Sequence, residues 1–244
     1  MSGHAAVIWH DVECGGYRED VALWRALAEE AGGAVLDVGA GTGRITLDLA
    51  ARGHDVVALD AEPALLAALA ERAAERGLAV QTHAADARAF DLGARGGFGL
   101  IAVPMQTVQL LGGSEARAAF LRCARAHLRD GGLVAMALAD ALESFDAESD
   151  GLPEPDAAEV DGARWVSLPL AVVDEGERAA IHRLRQVFAP DGSHADSHDV
   201  IRLDRLTPDE LEDEGRAAGL EPLPARRVPA TQEYVGSTVV VLRG

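Results

Sequence analysis

Residues 35–50 read VLDVGAGTGRITLDLA. A short apolar run ends in glycines at positions 39, 41 and 43 and passes directly into helical spacing, so this stretch is a strand, a tight turn and a helix. Glycines there let the backbone turn sharply and approach a ligand with no Cβ in the way, while the following helix presents its first N–H groups. A dinucleotide fingerprint needs its third glycine five residues after the first; here that position is Arg44. Asp37 also sits where a pyrophosphate would be repelled. The turn suits a ligand that is zwitterionic or cationic near this point.

Working outward, the same rhythm repeats. Residues 18–31 (REDVALWRALAEEA) have helical spacing and stop at Gly32-Gly33. A second strand, 55–60, leads to Pro63 and a helix that ends at Gly77. Strands follow at 78–86 and 98–104, then a helix over 114–129 closed by Asp130-Gly131-Gly132, then a strand at 133–139. Strands alternating with helices of this length imply a parallel sheet with right-handed crossovers. Asp37, Asp60 and Asp86 each fall at the end of one of three successive strands. Ligands in such sheets occupy the crevice beyond those ends, where a second-strand acid can accept ribose hydroxyls. Asp86, at the same level, could accept from an exocyclic amine.

The pattern changes after Asp140. Residues 143–162 are acidic and punctuated by Pro and Gly, which reads as a surface excursion or flexible lid. Three strand-like pieces follow at 164–174, 179–189 and 197–207, with Pro190-Asp191-Gly192 as a hairpin turn. Helical character returns at 207–219, where Thr207 and Glu210 form a capping box. Short strands around 226–228 and at 237–244 end the chain, and there are no internal repeats.

The chain has 244 residues and a net charge of −18; its 22 basic residues are all arginine. That charge, with no basic face, argues against a nucleic acid or an anionic membrane as partner. Without lysine there is no Schiff base and no P-loop lysine. No apolar run approaches a spanning helix and the start has no signal-peptide pattern, so the expected location is cytoplasmic. Two cysteines, Cys14 and Cys123, make neither a disulfide framework nor a metal cluster, and no metal is expected.

VLDVGAGTGRITLDLA, VVALDAEPALLAAL (56–69), HAADAR (83–88) and FGLIAVPMQTVQLL (98–111) resemble the successive motifs of class I S-adenosylmethionine-dependent methyltransferases of the small-molecule type. The likeness runs from about residue 34 to 140; residues 9–31 and 205–244 fit flanking elements more loosely. It implies a Rossmann-like α/β fold with a seven-stranded, mostly parallel sheet whose final antiparallel strand is STVVVLRG (237–244), plus a small antiparallel β insertion. The expected division is a cofactor-binding core, 1–140 with 207–244, and an inserted segment, 141–206, that caps the acceptor pocket or forms a homodimer contact.

The resemblance further implies S-adenosyl-L-methionine as cofactor, leaving as S-adenosyl-L-homocysteine. Asp37 would hold the methionine portion, and Gly39, Ala40, Gly41 and Gly43 would pack beside the cofactor. Asp60 with Ala61 would hold the ribose, Asp86 with Ala87 would face the adenine, and Pro104 and Met105 would lie near the sulfonium. In similar enzymes an aromatic from the N-terminal region closes over the cofactor, a place Tyr17 would take. No catalytic residue stands out; acceptor-side candidates are His10, Gln106, Gln109, Trp165, His182 and His198. His54 and His127 read as structural. The segment after the fourth strand lacks the motif of adenine-N6 enzymes, and neither cysteine follows a proline as a cytosine-C5 nucleophile would. The expected activity is methyl transfer to oxygen or nitrogen of a small molecule. The alternatives are another reaction of the same cofactor, such as cyclisation or other alkyl transfer, or a non-catalytic cofactor-binding regulator.

Overall fold

The computed structural model describes residues 2–93, 96–139, 142–151, 153–231 and 234–244. The chain divides into two compact units, one made of residues 18–141 and 206–244, the other of 1–17 and 142–205.

In the larger unit, α2 (Val21–Ala31), α3 (Arg44–Ala51), α4 (Pro63–Glu75), α5 (Ser114–His127) and α7 (Pro208–Ala217) surround a seven-stranded sheet. Its strands are β1 (Val35–Val38), β2 (Val56–Asp60), β3 (Val80–Ala84), β4 (Phe98–Val103), β5 (Leu128–Ala139), β11 (Glu221–Val228) and β12 (Ser237–Arg243). The order is β11-β12-β5-β4-β1-β2-β3, and β12 alone runs against the direction of the other six. This is the mostly parallel α/β sheet expected, with STVVVLRG supplying the antiparallel strand. The order reverses at β1, so the crevice beyond the carboxyl ends of β1 and β4 is the topological switch point.

Alternation along each strand divides the core into two layers. Leu36, Val38, Ile101, Val103 and Met136 meet Phe120, Leu121 and Leu211 on one face. Val35, Leu100, Ala102 and Ala135 meet Trp24, Leu27, Ile45 and Leu49 on the other. Asp37 shares the face of Val35 and therefore lies beneath α3.

β5 departs from the sequence expectation. Asp130-Gly131-Gly132 does not close a helix: the strand already begins at Leu128, which pairs with Phe98 of β4, and Gly244 bonds across the glycines that follow. Gly131 donates to the Gly244 carbonyl and Gly244 to that of Gly132, each at 2.9 Å. The capping box at Thr207 and Glu210 is present at the start of α7.

The smaller unit contains α1 (Gly3–Cys14), β6 (Phe145–Asp146), α6 (Ala147–Asp150), β7 (Asp156–Val160), β8 (Ala163–Asp174), β9 (Arg178–Phe188) and β10 (His194–Asp204). The strands form an antiparallel sheet in the order β10-β9-β8-β6, with β7 also on β8. The acidic stretch 143–162 is thus structured in part. Asp161-Gly162, both at positive φ, turn β7 back onto β8 with Val160 opposite Ala163. The helix α1 packs on β7 and β8, which groups residues 1–17 with the inserted sheet; the expected boundary at 140/141 lies outside the described residues.

On the face under α1, the Glu13 carboxylate accepts Nε–H and an Nη2–H of Arg185, each at 2.7 Å, and the Ser167 hydroxyl at 2.7 Å, while Arg183 pairs with Asp156. Burial pushes the Glu13 carboxyl up, but the Arg185 and Ser167 hydrogen bonds with the nearby arginine charges more than offset it, leaving it below its ordinary value. Trp9 packs edge-on to Trp165 at 4.9 Å, with Arg185 over the Trp9 ring. No described helix is long and apolar enough to cross a membrane.

Candidate cofactor site

The glycine turn is rigid because each glycine answers a different demand. Gly39, Gly41 and Gly43 have φ of +72°, +54° and +96°, a region L side chains rarely adopt. A Cβ on Gly43 would lie 2.8 Å from Leu69, so α4 closes against the turn. The turn's amides are already used within the protein. Gly39 and Ala40 donate to the Leu59 carbonyl at 2.8 and 3.1 Å, Gly43 to Ala40 at 2.9 Å, and Gly41 to Oδ2 of Asp60 at 2.8 Å. Such a turn lets a ligand lie close to backbone but offers no ring of those N–H donors to a diphosphate. That agrees with the absence of a dinucleotide fingerprint.

Asp37 is 1% exposed. The hydroxyl of Thr46, in the first turn of α3, donates to its Oδ2 at 2.6 Å, and its Oδ1 is buried with no hydrogen-bond partner. Burial pushes the carboxyl up to about 6 against the pull of the Thr46 hydrogen bond and the Arg44 charge, with the Asp60 charge pushing in the same direction as burial. A buried carboxylate oxygen without a partner is costly by itself. It fits a ligand that brings a cationic or hydrogen-bond-donating group to this place.

Asp60 ends β2 half-buried, its two oxygens each taking one backbone donor: Gly41 N–H at Oδ2 and Glu62 N–H at Oδ1, 2.9 Å away. Each oxygen keeps a lone pair, so the carboxylate can still accept from a diol while it pins the turn to the second strand. Ala61 beside it is exposed. Asp86 is exposed and held by Arg88, whose Nε lies 2.9 and 3.0 Å from its two oxygens; that hydrogen-bonded guanidinium keeps its carboxyl below the ordinary value. Ala87 packs partly against the aliphatic core.

Past β4, Met105 has φ +55°, an uncommon conformation for a side chain of its size. The Pro104 carbonyl accepts the Thr107 hydroxyl at 2.9 Å, opening a 3-10 turn over Thr107–Leu110. Thr107 in turn packs on Gly39, tying the β4 segment to the glycine turn. Gln106 stands half-exposed before this turn. Gln109 is 1% exposed and its Oε1 accepts the Ala139 N–H at 3.0 Å, so it braces the end of β5 rather than offering itself to a ligand.

His10, Tyr17, Trp165, His182 and His198 belong to the smaller unit. His10 lies half-buried on α1 and Tyr17 is buried just past it. The strand register separates the other three. Trp165 stands opposite Val187, on the face that carries Ser167 and Arg185 beneath α1; His182 and His198 lie on the opposite face, against Val200 and Leu184. One pocket wall cannot contain all three. His127 is structural, as expected: its Nδ1 is 2.8 Å from the Cys123 carbonyl and its Nε2 accepts the Leu92 N–H.

Sequence reasoning missed two supports. Arg44, read only as a position where glycine was lacking, pairs with Asp20 at 2.5 and 2.8 Å, and Asp20 also accepts the Trp24 indole N–H at 2.8 Å. Thr46 was legible only as a β-branched residue in the helix. Its place in the first turn after the glycines was the signal that it could reach back to the end of β1.

Residues 35–132 match the family model described as a methyltransferase domain. Among solved structures, the chain superposes on CalS10, an amino pentose methyltransferase from Micromonospora echinaspora, with TM-score 0.70 and 23% identity over 100% of this chain and 98% of that one. It superposes on the sugar N-methyltransferase KedS8 from Streptoalloteichus with TM-score 0.73 and 22% identity, covering 98% and 92% of the two chains. The CcbJ methyltransferase from Streptomyces caelestis gives TM-score 0.72 and 20% identity over 94% and 91%. No curated protein sequence matches the chain. Residues 35–132 thus match a methyltransferase domain within this seven-stranded sheet, and the chain as a whole has the fold of these solved methyltransferases.

Proposed function

We propose that this protein transfers the methyl group of S-adenosylmethionine to a nitrogen or oxygen atom of a small molecule. The observation that carries this reading is Asp37, a buried carboxylate beside the glycine turn with one oxygen left for a donor from outside the chain. When bound, the cofactor supplies a methyl already activated on a sulfonium. Asp37 would accept from the cationic methionine end, Asp60 with Ala61 from the ribose, and Asp86 with Ala87 would edge the adenine. Gly39, Ala40, Gly41 and Gly43 would let the cofactor lie against backbone, with Pro104 and Met105 near the sulfonium. Tyr17 is proposed as the aromatic over the cofactor.

The chain's task at the reacting atoms is mostly alignment and exclusion of water. An amine acceptor needs little more, whereas a hydroxyl benefits from a general base. His10, Gln106, Trp165, His182 and His198 remain the side chains to test on the acceptor side. Nitrogen is the first acceptor to try, because KedS8 is a sugar N-methyltransferase and a glycopeptide N-methyltransferase, MtfA, has a related structure at TM-score 0.60.

The test is incubation with methyl-labelled S-adenosylmethionine and a panel of amino sugars and hydroxylated analogues, followed by mass spectrometry. S-adenosylhomocysteine together with a labelled acceptor supports the reading. Methylthioadenosine as the only cofactor product would overturn it in favour of another use of the same cofactor, and tight cofactor binding with no product from any acceptor would favour a regulator.

A further inference from the structure

The Asp37 carboxylate has two oxygens in different situations, and the difference is made by one side chain. Thr46 is fully buried, and its hydroxyl sits 2.6 Å from Oδ2. Oδ1 is equally buried and has no partner. In register beside Asp37 on β2 and β4 stand Ala58 and Ala102, which donate no side-chain hydrogen bond. The charged groups that act on it are Arg44 at the start of α3, itself paired with Asp20 ahead of α2, and Asp60 at the end of β2. Without the Thr46 hydroxyl the carboxylate would lose the hydrogen bond that lowers it most and keep the smaller pull of the Thr46 backbone N–H and of the Arg44 charge.

We propose that Thr46 is a positioning residue for the cofactor: by occupying Oδ2 it fixes the Asp37 carboxylate and leaves Oδ1 as the acceptor for the cationic methionine end of S-adenosylmethionine. This rests on the reading that the chain binds that cofactor. The hydroxyl acts in two ways. It sets the direction of the open oxygen, and it favours the ionised carboxylate that a cationic ligand requires. The second effect makes the role separable from mere packing, since a valine fills the same space without a donor.

The experiment is calorimetric titration of S-adenosylmethionine into wild type, Thr46→Val and Thr46→Ser between pH 5 and 8. It is paired with a carbon-13 titration of the Asp37 carboxyl in the ligand-free proteins. Thr46→Val should weaken binding about tenfold, as loss of a charge-assisted hydrogen bond does, and should move both the carboxyl titration and the midpoint of pH-dependent binding upward. Thr46→Ser should restore both. If the valine variant does not fold, Thr46→Ala takes its place in each measurement. Unchanged affinity and an unchanged carboxyl titration in a folded donor-less variant would overturn the proposal. Failure of wild type to bind would instead overturn the cofactor reading, while the ligand-free titration would still report whether Thr46 governs Asp37.

Discussion

A Cβ placed on Gly39 would lie 2.6 Å from Cγ2 of Thr107, so the glycine turn after the first strand and the segment after the fourth are packed to touching. Gly39 also holds φ +72°. Gly39→Ala therefore meets two obstacles, a steric one and a conformational one. It should destabilise the protein by about 1–3 kcal/mol and abolish cofactor binding. Adding Thr107→Ala removes the clash and leaves the backbone strain, so the double variant should recover part of the stability in chemical denaturation. Equal stability of the single and double variants would show that the contact is not the cause.

Asp37 predicts a pH effect on stability. Its carboxyl is raised from 3.8 to about 6 by burial in the ligand-free fold. Between those values the folded chain keeps a proton that the unfolded chain has released, so this group's contribution to stability is greatest at the acid end and is lost as pH rises through the window. The size is at most about 3 kcal/mol. Asp37→Asn cannot titrate, and the difference between its unfolding free energy and that of wild type should change with pH between about 4 and 6 and be flat above. A difference that stays constant throughout would remove Asp37 as the titrating group.

Asp60→Ala should weaken S-adenosylhomocysteine binding by ~1.5–3 kcal/mol, because hydrogen bonds to a charged acceptor are lost. The structure adds a second consequence, since the Gly41 N–H loses its partner as well. Calorimetry on a variant verified as folded by circular dichroism measures the first. Faster hydrogen exchange at Gly41 measures the second.

Arg44 and Asp20 are 8% and 3% exposed at their side chains. Arg44→Met leaves a buried carboxylate supported by the Trp24 indole and should cost about 3–5 kcal/mol. Asp20→Asn in the same chain removes the stranded charge and should return a large part of that loss. Urea denaturation of the two single variants and the double variant decides it.

The sheet and the glycine turn were legible because short-range chemistry fixes them. Gly39, Gly41 and Gly43 can hold positive φ cheaply, and Thr207 with Glu210 caps a helix within three residues. What stayed hidden depends on residues distant in sequence. β5 begins at Leu128 because Phe98, thirty residues earlier, pairs with it, and the use of Gln109 depends on where Ala139 lies. The Asp161-Gly162 turn was a local signal, masked by the acidic residues around it. At the site itself, Asp37 and Asp60 could be named from their strand ends, whereas β3 stops at Ala84 and leaves Asp86 two residues beyond the end expected for it. Of the groups that hold them, Arg88 on Asp86 and the Glu62 N–H on Asp60 lie two residues away and were local signals left unread, whereas the folded turn brings the Gly41 N–H to Asp60 and the Thr46 hydroxyl to Asp37.

The smaller unit joins chain from both sides of a long interruption: Trp9 and Glu13 emerge early, yet the aromatic and arginine groups they meet are Trp165 and Arg185. At ribosomal rates of ~5–20 residues per second, on the order of ten to thirty seconds pass between these residues. During that interval α1 has nothing of its own sheet to cover, and its indole and carboxylate wait in water. Nascent chains stalled ahead of position 165 should therefore be open to protease within their first helix, and resistance should arrive only when the last hairpin has left the tunnel.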